Sequence, residues 1–89
     1  MNHIIAPSLL AADFTKLESE LQLFNESDAQ WLHVDVMDGV FVPNISFGMM
    51  VLESVKKLTN KFLDVHLMIV QPEKYIESFS EAGANLITV

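Results

Sequence analysis

The sequence predicts an α/β fold with a parallel sheet, in the order β-α-β-α-β-α-β. Two observations support this prediction. Short apolar runs that are typical of strands begin at intervals of roughly 25–30 residues, and the segments between them place apolar residues three or four positions apart. Such alternation implies parallel strands that are joined by right-handed helical crossovers.

The predicted strands are short and apolar, and they cover residues 3–8, 31–37, 62–69 and 84–89. Asp38-Gly39 leaves an alternative open, because Asp-Gly between apolar runs is a strong signal for a two-residue hairpin. Pro43 follows so soon that it leaves little room for a return strand. We therefore favour a long strand-to-helix loop after residue 37.

Each predicted helix has a recognisable start or end. Asp13 is a good N-cap for the first helix, and the second begins at Ser46 or a neighbour. Pro72 suits the first turn of the third helix, which Gly83 would end. The predicted apolar faces are, in chain order, Phe14, Leu17, Leu21 and Phe24; Val51, Val55 and Leu58; and Tyr75, Ile76 and Phe79.

Two parallel architectures fit this order, an open doubly wound sheet and part of a (β/α)8 TIM barrel. A doubly wound nucleotide-binding sheet usually carries a glycine-rich turn after its first strand. The corresponding turn here, Ser8-Leu-Leu-Ala-Ala-Asp13, contains no glycine. Polar residues instead lie at the ends of successive strands, where barrel enzymes place their chemistry. The sequence therefore favours the barrel.

The charge and composition restrict the classes of partner. Five lysines against twelve acidic residues give a net charge of −7, which argues against nucleic acid and anionic membranes. The absence of cysteine excludes disulfides and thiolate metal sites. The chain opens without a basic targeting region and has no apolar run near the roughly 20 residues of a membrane span. We therefore expect a cytoplasmic protein.

The most informative residues are two histidines and an aspartate on adjacent predicted strands. His33 and Asp35 are two residues apart, so their side chains share one face of a strand, and His66 lies near the end of the next strand. Imidazole and carboxylate groups suit zinc, manganese or iron(II), and three protein ligands would leave positions open for a substrate. The alternative is a buried His–Asp hydrogen bond, with His66 packed separately.

The remaining polar and methionine side chains near these strand ends are open to more than one interpretation. We predict that Asp38 is a solvated turn residue and that Asp64 either orients a metal-bound imidazole or makes an ordinary hydrogen bond. Met37 and Met68 are more typical of core than of a site. Ser8 is a candidate substrate contact, although a serine at a strand end commonly caps a turn.

Three blocks of the sequence are distinctive: Ala6-Pro-Ser-Leu-Leu-Ala-Ala-Asp-Phe14, Trp31-Leu-His-Val-Asp-Val-Met-Asp-Gly-Val-Phe-Val-Pro-Asn44 and Leu63-Asp-Val-His-Leu-Met-Ile-Val70. They closely resemble the ribulose-phosphate 3-epimerase family. Pro72-Glu-Lys-Tyr-Ile76 and Ala82-Gly-Ala84 extend the resemblance over essentially the whole chain. It implies a (β/α)8 barrel that interconverts D-ribulose 5-phosphate and D-xylulose 5-phosphate in the pentose phosphate pathway.

The resemblance also implies roles for individual residues. His33, Asp35 and His66 match three of the family's four ligands to one divalent ion (Zn, Fe(II), Mn or Co), and Asp35 matches one of its two acid/base aspartates. Ser8 and His66 match substrate contacts, and Met37 and Met68 match methionines that line the site. The implied reaction is a metal-assisted, two-base proton transfer through a cis-enediolate.

The family's full chain is more than twice as long as this one, and its second aspartate and phosphate-binding loops have no counterpart here. We therefore expect residues 1–89 to form one partial barrel domain, its N-terminal half, which is inactive on its own. Two alternatives to ribulose-phosphate epimerisation stay open: an epimerase for a six-carbon ketose such as allulose 6-phosphate, and a catalytically incomplete half-barrel. The expected partner is a small phosphorylated ketose, and the oligomeric state, including a homo-oligomer, is left open.

Overall fold

A computed structural model describes residues 6–89 as parallel strands with helices between them. The strands are β1 (Trp31–Met37), β2 (Phe62–Met68) and β3 (Leu86–Thr88), and the α-helices are α1 (Leu17–Glu26), α2 (Met49–Leu58) and α3 (Ile76–Ala82). Short 3₁₀ helices cover Leu9–Ala11, Phe14–Lys16 and Pro72–Lys74. Within residues 6–89, no helix is long and apolar enough to cross a membrane.

Strands that follow one another in the chain are also neighbours in the sheet, which has the order β1-β2-β3 with parallel pairing throughout. Residues 3–5 of the predicted first strand lie outside the described residues, but the end of that strand pairs with β1. The His33 amide donates to the Pro7 carbonyl at 2.9 Å, and Ser8 makes a parallel bridge to His33. This sequential order confirms the start of a (β/α)8 barrel, because a doubly wound sheet reverses its order at a switch point.

The two faces of the sheet have different environments. Apolar residues on one face are buried beneath the helices, among them Val34 and Val65, each 0% exposed. Burying such a side chain contributes about 1.5–3 kcal/mol. The alternate residues of β1 and β2 are half-buried on the opposite face, as the strand periodicity predicts. The candidate ligands all lie on this second face.

The first helix differs from its prediction at its start. Asp13 accepts a hydrogen bond from the Thr15 amide at 3.0 Å, but it caps the 3₁₀ helix Phe14–Lys16, and α1 begins only at Leu17. Phe14, predicted to be core, is 44% exposed and packs against Phe47 with ring centroids 5.6 Å apart. The rest of the predicted face is confirmed by the burial of Leu21 and Phe24.

The second helix begins at Met49, with Gly48 as its N-cap, rather than at or near Ser46. The Ser46 hydroxyl donates to the Asp35 carbonyl at 2.8 Å and accepts from the Met37 amide at 2.9 Å. Because this hydroxyl is bonded to β1, it does not cap a helix. The loop is thereby fastened to the strand that precedes it.

The third helix buries only part of the apolar face predicted for it. Tyr75 and Ile76 are each 41% exposed, whereas Phe79 and Ala82 are buried. Pro72 begins a 3₁₀ helix and not α3 itself, which starts at Ile76. The change of helix type between these segments alters which side chains face the sheet.

Two predictions about turns are confirmed. Gly83 ends α3 with a positive φ of 124°, and the amides after the helix donate back to the carbonyls of its last turn. Asp38-Gly39 does not form a hairpin between adjacent strands, because β1 pairs with β2 in parallel and residues 38–48 lead into α2. An isolated antiparallel bridge between Asp38 and Ile45 folds this loop.

Candidate functional site

The register between β1 and β2 sets an acidic residue opposite each histidine. His33 pairs with Asp64, and Asp35 pairs with His66. We call His33, Asp35, Asp64 and His66 the His–Asp quartet. All four side chains lie on the face away from the helices, and adjacent strands are only about 4.8 Å apart, so the groups are within bonding reach.

The shortest contacts of the His–Asp quartet involve His33. Its Nε2 lies 2.7 Å from Asp35 Oδ1, and its Nδ1 lies 2.9 Å from Asp64 Oδ2. His66 Nδ1 lies 3.6 Å from the same Asp35 oxygen. The exposed fraction of these side chains ranges from 18% for Asp64 to 36% for His66. The groups are therefore partly screened from water but accessible from the open face of the sheet.

Burial and two carboxylates set the pKa of His33. Burial is the largest single contribution and lowers the pKa, but the hydrogen bonds to Asp64 and Asp35 and the charges of both carboxylates together outweigh it. The pKa of His33 is therefore raised above its ordinary value of 6.5. When both ring nitrogens carry a proton, His33 donates one hydrogen bond to each carboxylate. A cation that binds this imidazole has to compete with a proton.

The chemistry of the donor set fits a divalent metal ion. His33, Asp35 and His66 each offer one ligand atom, and these atoms all lie within 4.8 Å of one another. Two imidazole nitrogens and a carboxylate oxygen are ligands that zinc and its neighbours accept. Asp64 contacts Nδ1 of His33, the ring nitrogen that faces away from Asp35. Carboxylates commonly make this contact beside metal-ligating histidines. The sequence did not indicate which imidazole Asp64 would contact.

The other predicted site residues surround this donor set. Met37 and Met68 are paired at the carboxyl ends of β1 and β2, and both are half-buried. Ser8 lies beside His33 in the sheet, and its hydroxyl accepts from the Leu10 amide at 3.3 Å. This bond caps a 3₁₀ helix, which is the turn-capping role that the sequence left open for Ser8. The structure therefore places all three next to the His–Asp quartet.

Sequence reasoning missed the contacts of Asp38. One carboxylate oxygen accepts from the Val40 and Phe41 amides, both at 2.9 Å, and the other accepts from the Val70 amide at 2.8 Å. The bond from Val70, followed by those from Val40 and Phe41, lowers the pKa of Asp38 below its usual value. The local bonds are those of an Asx turn, which Asp-Gly indicates. The bond to Val70 has no local sequence signal.

Comparison with known proteins identifies relatives of this chain. Residues 4–89 match the model of the Ribulose-phosphate 3 epimerase family. Ribulose-phosphate 3-epimerase from Synechocystis sp. is 54% identical over 88 residues, which are 99% of this chain and 38% of that protein. The Bacillus subtilis protein of the same name is 47% identical over 85 residues, covering 96% of this chain and 39% of the relative.

A plant relative shows the same relation. The chloroplastic ribulose-5-phosphate-3-epimerase of Arabidopsis thaliana is 45% identical over 86 residues, or 97% of this chain and 31% of the plant protein. The chain thus spans well under half the length of these curated relatives, while nearly all of it is matched. On the strength of the family match and these identities, the chain belongs to the ribulose-phosphate 3-epimerase family.

Proposed function

We propose that the full-length protein is a ribulose-phosphate 3-epimerase that interconverts D-ribulose 5-phosphate and D-xylulose 5-phosphate. The observation that supports this most strongly is the His–Asp quartet on two paired parallel strands of a chain of this family, with Asp35 and His66 the members nearer the carboxyl ends. Barrel enzymes place catalytic groups at the carboxyl ends of their strands. No observation favours the six-carbon ketose alternative.

His33, Asp35 and His66 are the residues that would hold one divalent metal ion, either Zn, Fe(II), Mn or Co. Such an ion supplies charge stabilisation to substrate oxygens that become negative during the reaction. Asp64 is not one of these ligands but supports one of them, His33. Its bond to Nδ1 of His33 holds a proton on that nitrogen and turns Nε2 toward Asp35 and the open face.

Asp35 is the proposed acid/base group of this chain. Inverting a carbon beside a carbonyl requires removal of a proton from one face and its return to the opposite face. The Asp35 carboxylate would exchange the proton on one of these faces. The opposed group corresponds to the family's second aspartate, which has no counterpart in residues 1–89. We therefore expect the 89-residue polypeptide alone to be inactive.

The remaining site residues would shape the substrate pocket. Met37 and Met68 supply an apolar wall at the strand ends that limits the access of water. Ser8 and His66 are proposed substrate contacts. The net charge of −7 supports a small-molecule substrate over nucleic acid or a membrane surface. We infer a cytoplasmic location, which cell fractionation would test.

A coupled assay of the full-length protein tests this proposal, with ribulose 5-phosphate as substrate and metal content measured in parallel. Asp35→Asn should lower kcat by roughly 10³-fold, since general acid/base groups commonly contribute 10²–10⁴. His33→Ala should lose bound metal and activity together. Asp13→Asn is the matched control, because this carboxylate bonds within its own turn. Turnover of Asp35→Asn at the wild-type rate would refute the assignment.

A further inference from the structure

Asp38 connects the chain segments that follow the two site strands. Its Oδ1 accepts hydrogen bonds within its own loop, from the Val40 and Phe41 amides. Its Oδ2 accepts from the Val70 amide at 2.8 Å, two residues beyond the end of β2. A single carboxylate thus joins the loop after β1 to the segment after β2.

Packing gives little support at the three residues whose amides Asp38 accepts from. Val40 is 74% exposed, Phe41 65% and Val70 45%, so their side chains bury little apolar surface. Hydrogen bonds to a charged acceptor are stronger than those between neutral groups, and three amides converge here on one carboxylate. Segments with few buried apolar contacts open readily unless such bonds restrain them.

The segments that Asp38 joins begin directly after the methionines of the candidate site. Asp38 follows Met37 in the chain, Val70 lies two residues after Met68, and the methionines are paired in the sheet. Ser46 binds the same loop to the β1 backbone at Asp35 and Met37. Ser46 therefore fixes the loop to its own strand, whereas Asp38 fixes it to the neighbouring one.

We propose that Asp38 is a positioning residue that couples the two loops beside the site. It thereby sets the positions of Met37 and Met68 relative to the substrate. Asp38 does this through backbone amides, without contact with the candidate metal ligands. The functional part of this inference rests on the proposed epimerase activity. The loop coupling itself does not.

The test uses Asp38→Asn and Asp38→Ser in the full-length protein. An asparagine keeps the shape of the side chain but replaces one acceptor oxygen with a donor, so it cannot serve both loops. Hydrogen–deuterium exchange of the Val70 amide should accelerate about tenfold. The KM for ribulose 5-phosphate should rise about fivefold, with a smaller change in kcat. Affinity for Zn²⁺ should be unchanged, because the strand ladder holds the ligands.

Asp13→Asn again serves as the control, since it alters a carboxylate–amide turn that does not reach another loop. If Asp38→Asn fails to fold, Asp38→Ser carries the same measurements, because its hydroxyl can cap the local turn but cannot also accept from Val70. Unchanged exchange at Val70 overturns the coupling. Faster exchange with an unchanged KM, or a loss of Zn²⁺ affinity, overturns the positioning role. Absence of epimerase activity in the wild type would refute the proposed function, while Val70 exchange would still decide the coupling.

Discussion

At the amino end of the sheet a charged side chain bonds to the backbone, whereas in the His–Asp quartet charged side chains bond to one another. The Lys61 ammonium donates to three carbonyls, those of Phe24 at 2.8 Å, Ser27 at 2.9 Å and Ala29. It also lies 4.6 Å from the centroid of the Phe24 ring. The His–Asp quartet has no comparable bond from its side chains to the backbone among the described contacts.

The Lys61 contacts therefore mainly serve stability, whereas the contacts within the His–Asp quartet mainly serve its chemistry. Carbonyls at the end of a helix lack partners within the helix and carry partial negative charge, so an ammonium there is stabilising. The protonation of His33 depends on Asp64 and Asp35, so replacing either carboxylate alters it. Substitutions near Lys61 should therefore lower stability and spare activity, while substitutions in the quartet should mainly affect proton and metal binding.

The largest expected effect on stability is that of Lys61→Met. Methionine keeps the length and apolar stem of the side chain but leaves three carbonyls without this donor. The free energy of unfolding should fall by about 2–3 kcal/mol, with kcat/KM unchanged, as measured by urea denaturation and the coupled assay. Lys57→Met, on the exposed face of α2, should change stability by less than about 0.5 kcal/mol. Equal losses in both variants would contradict the comparison.

Asp64→Ala should mainly weaken metal binding, whereas Lys61→Met should mainly lower stability. The His33 ring loses the partner that fixes its Nδ1 proton, so affinity for Zn²⁺ should fall about tenfold. Calorimetric titration of the chelator-treated full-length protein measures this change. Asp28→Ala, an exposed aspartate in the α1–β1 connection, is the control and should bind Zn²⁺ as the wild type does. Undiminished affinity in Asp64→Ala would mean that the His33 ring needs no support from this carboxylate.

A smaller loss is expected for Gly83→Ala. The backbone at Gly83 has a φ of 124°, which side chains disfavour, and an added Cβ would lie 2.9 Å from Lys56 Cγ. The base of the Lys56 side chain is held by the helix backbone, so this contact adds to the backbone strain, and the free energy of unfolding should fall by at least about 1 kcal/mol. Gly48→Ala should cost less, because a Cβ there meets nothing within 4 Å and φ is −133°. Thermal melts of the two variants test this order.

The smallest expected effect concerns pH in the chelator-treated protein. The folded-state pKa of His33 is raised above 6.5. The bonds of the charged ring to Asp64 and Asp35 therefore contribute stability that is fully present below pH 6.5 and is lost as pH rises through the raised pKa. Asp64→Ala should lower the pKa of His33 in an NMR titration and flatten the stability profile in this range. Parallel profiles for the two proteins would count against the electrostatic explanation.

The sequence predicted the candidate ligands because strand alternation is a local property. His33 and Asp35 are two residues apart, and His66 follows the same pattern on the next strand, so their common face could be inferred before the sheet was known. The end of α3 at Gly83 was also predicted from a local signal, because a glycine after an apolar helix indicates a C-terminal turn. These predictions required no knowledge of distant contacts.

The errors arose where distant contacts decide the outcome. The Ser46 hydroxyl bonds to a carbonyl 11 residues earlier, and Asp38 bonds to an amide 32 residues later. Periodicity within a helix or strand carries no information about such pairs. Tyr75 and Ile76 have helical spacing to Phe79, but a 3₁₀ segment precedes α3 and leaves both exposed. Tertiary packing, and not the local pattern, determines which of these residues is core.

The pairing of β1 with β2 has a consequence for folding. An alternating apolar pattern is preserved when one strand slides past another by two residues, so hydrophobic burial by itself tolerates that misalignment. Here such a slide would set His33 opposite His66 in one direction, or Asp35 opposite Asp64 in the other. Opposed aspartates carry like charges, which is destabilising, and opposed histidines each lose the carboxylate across from them in the sheet. The side chains proposed for catalysis would therefore also discriminate against mispaired strands while the sheet assembles.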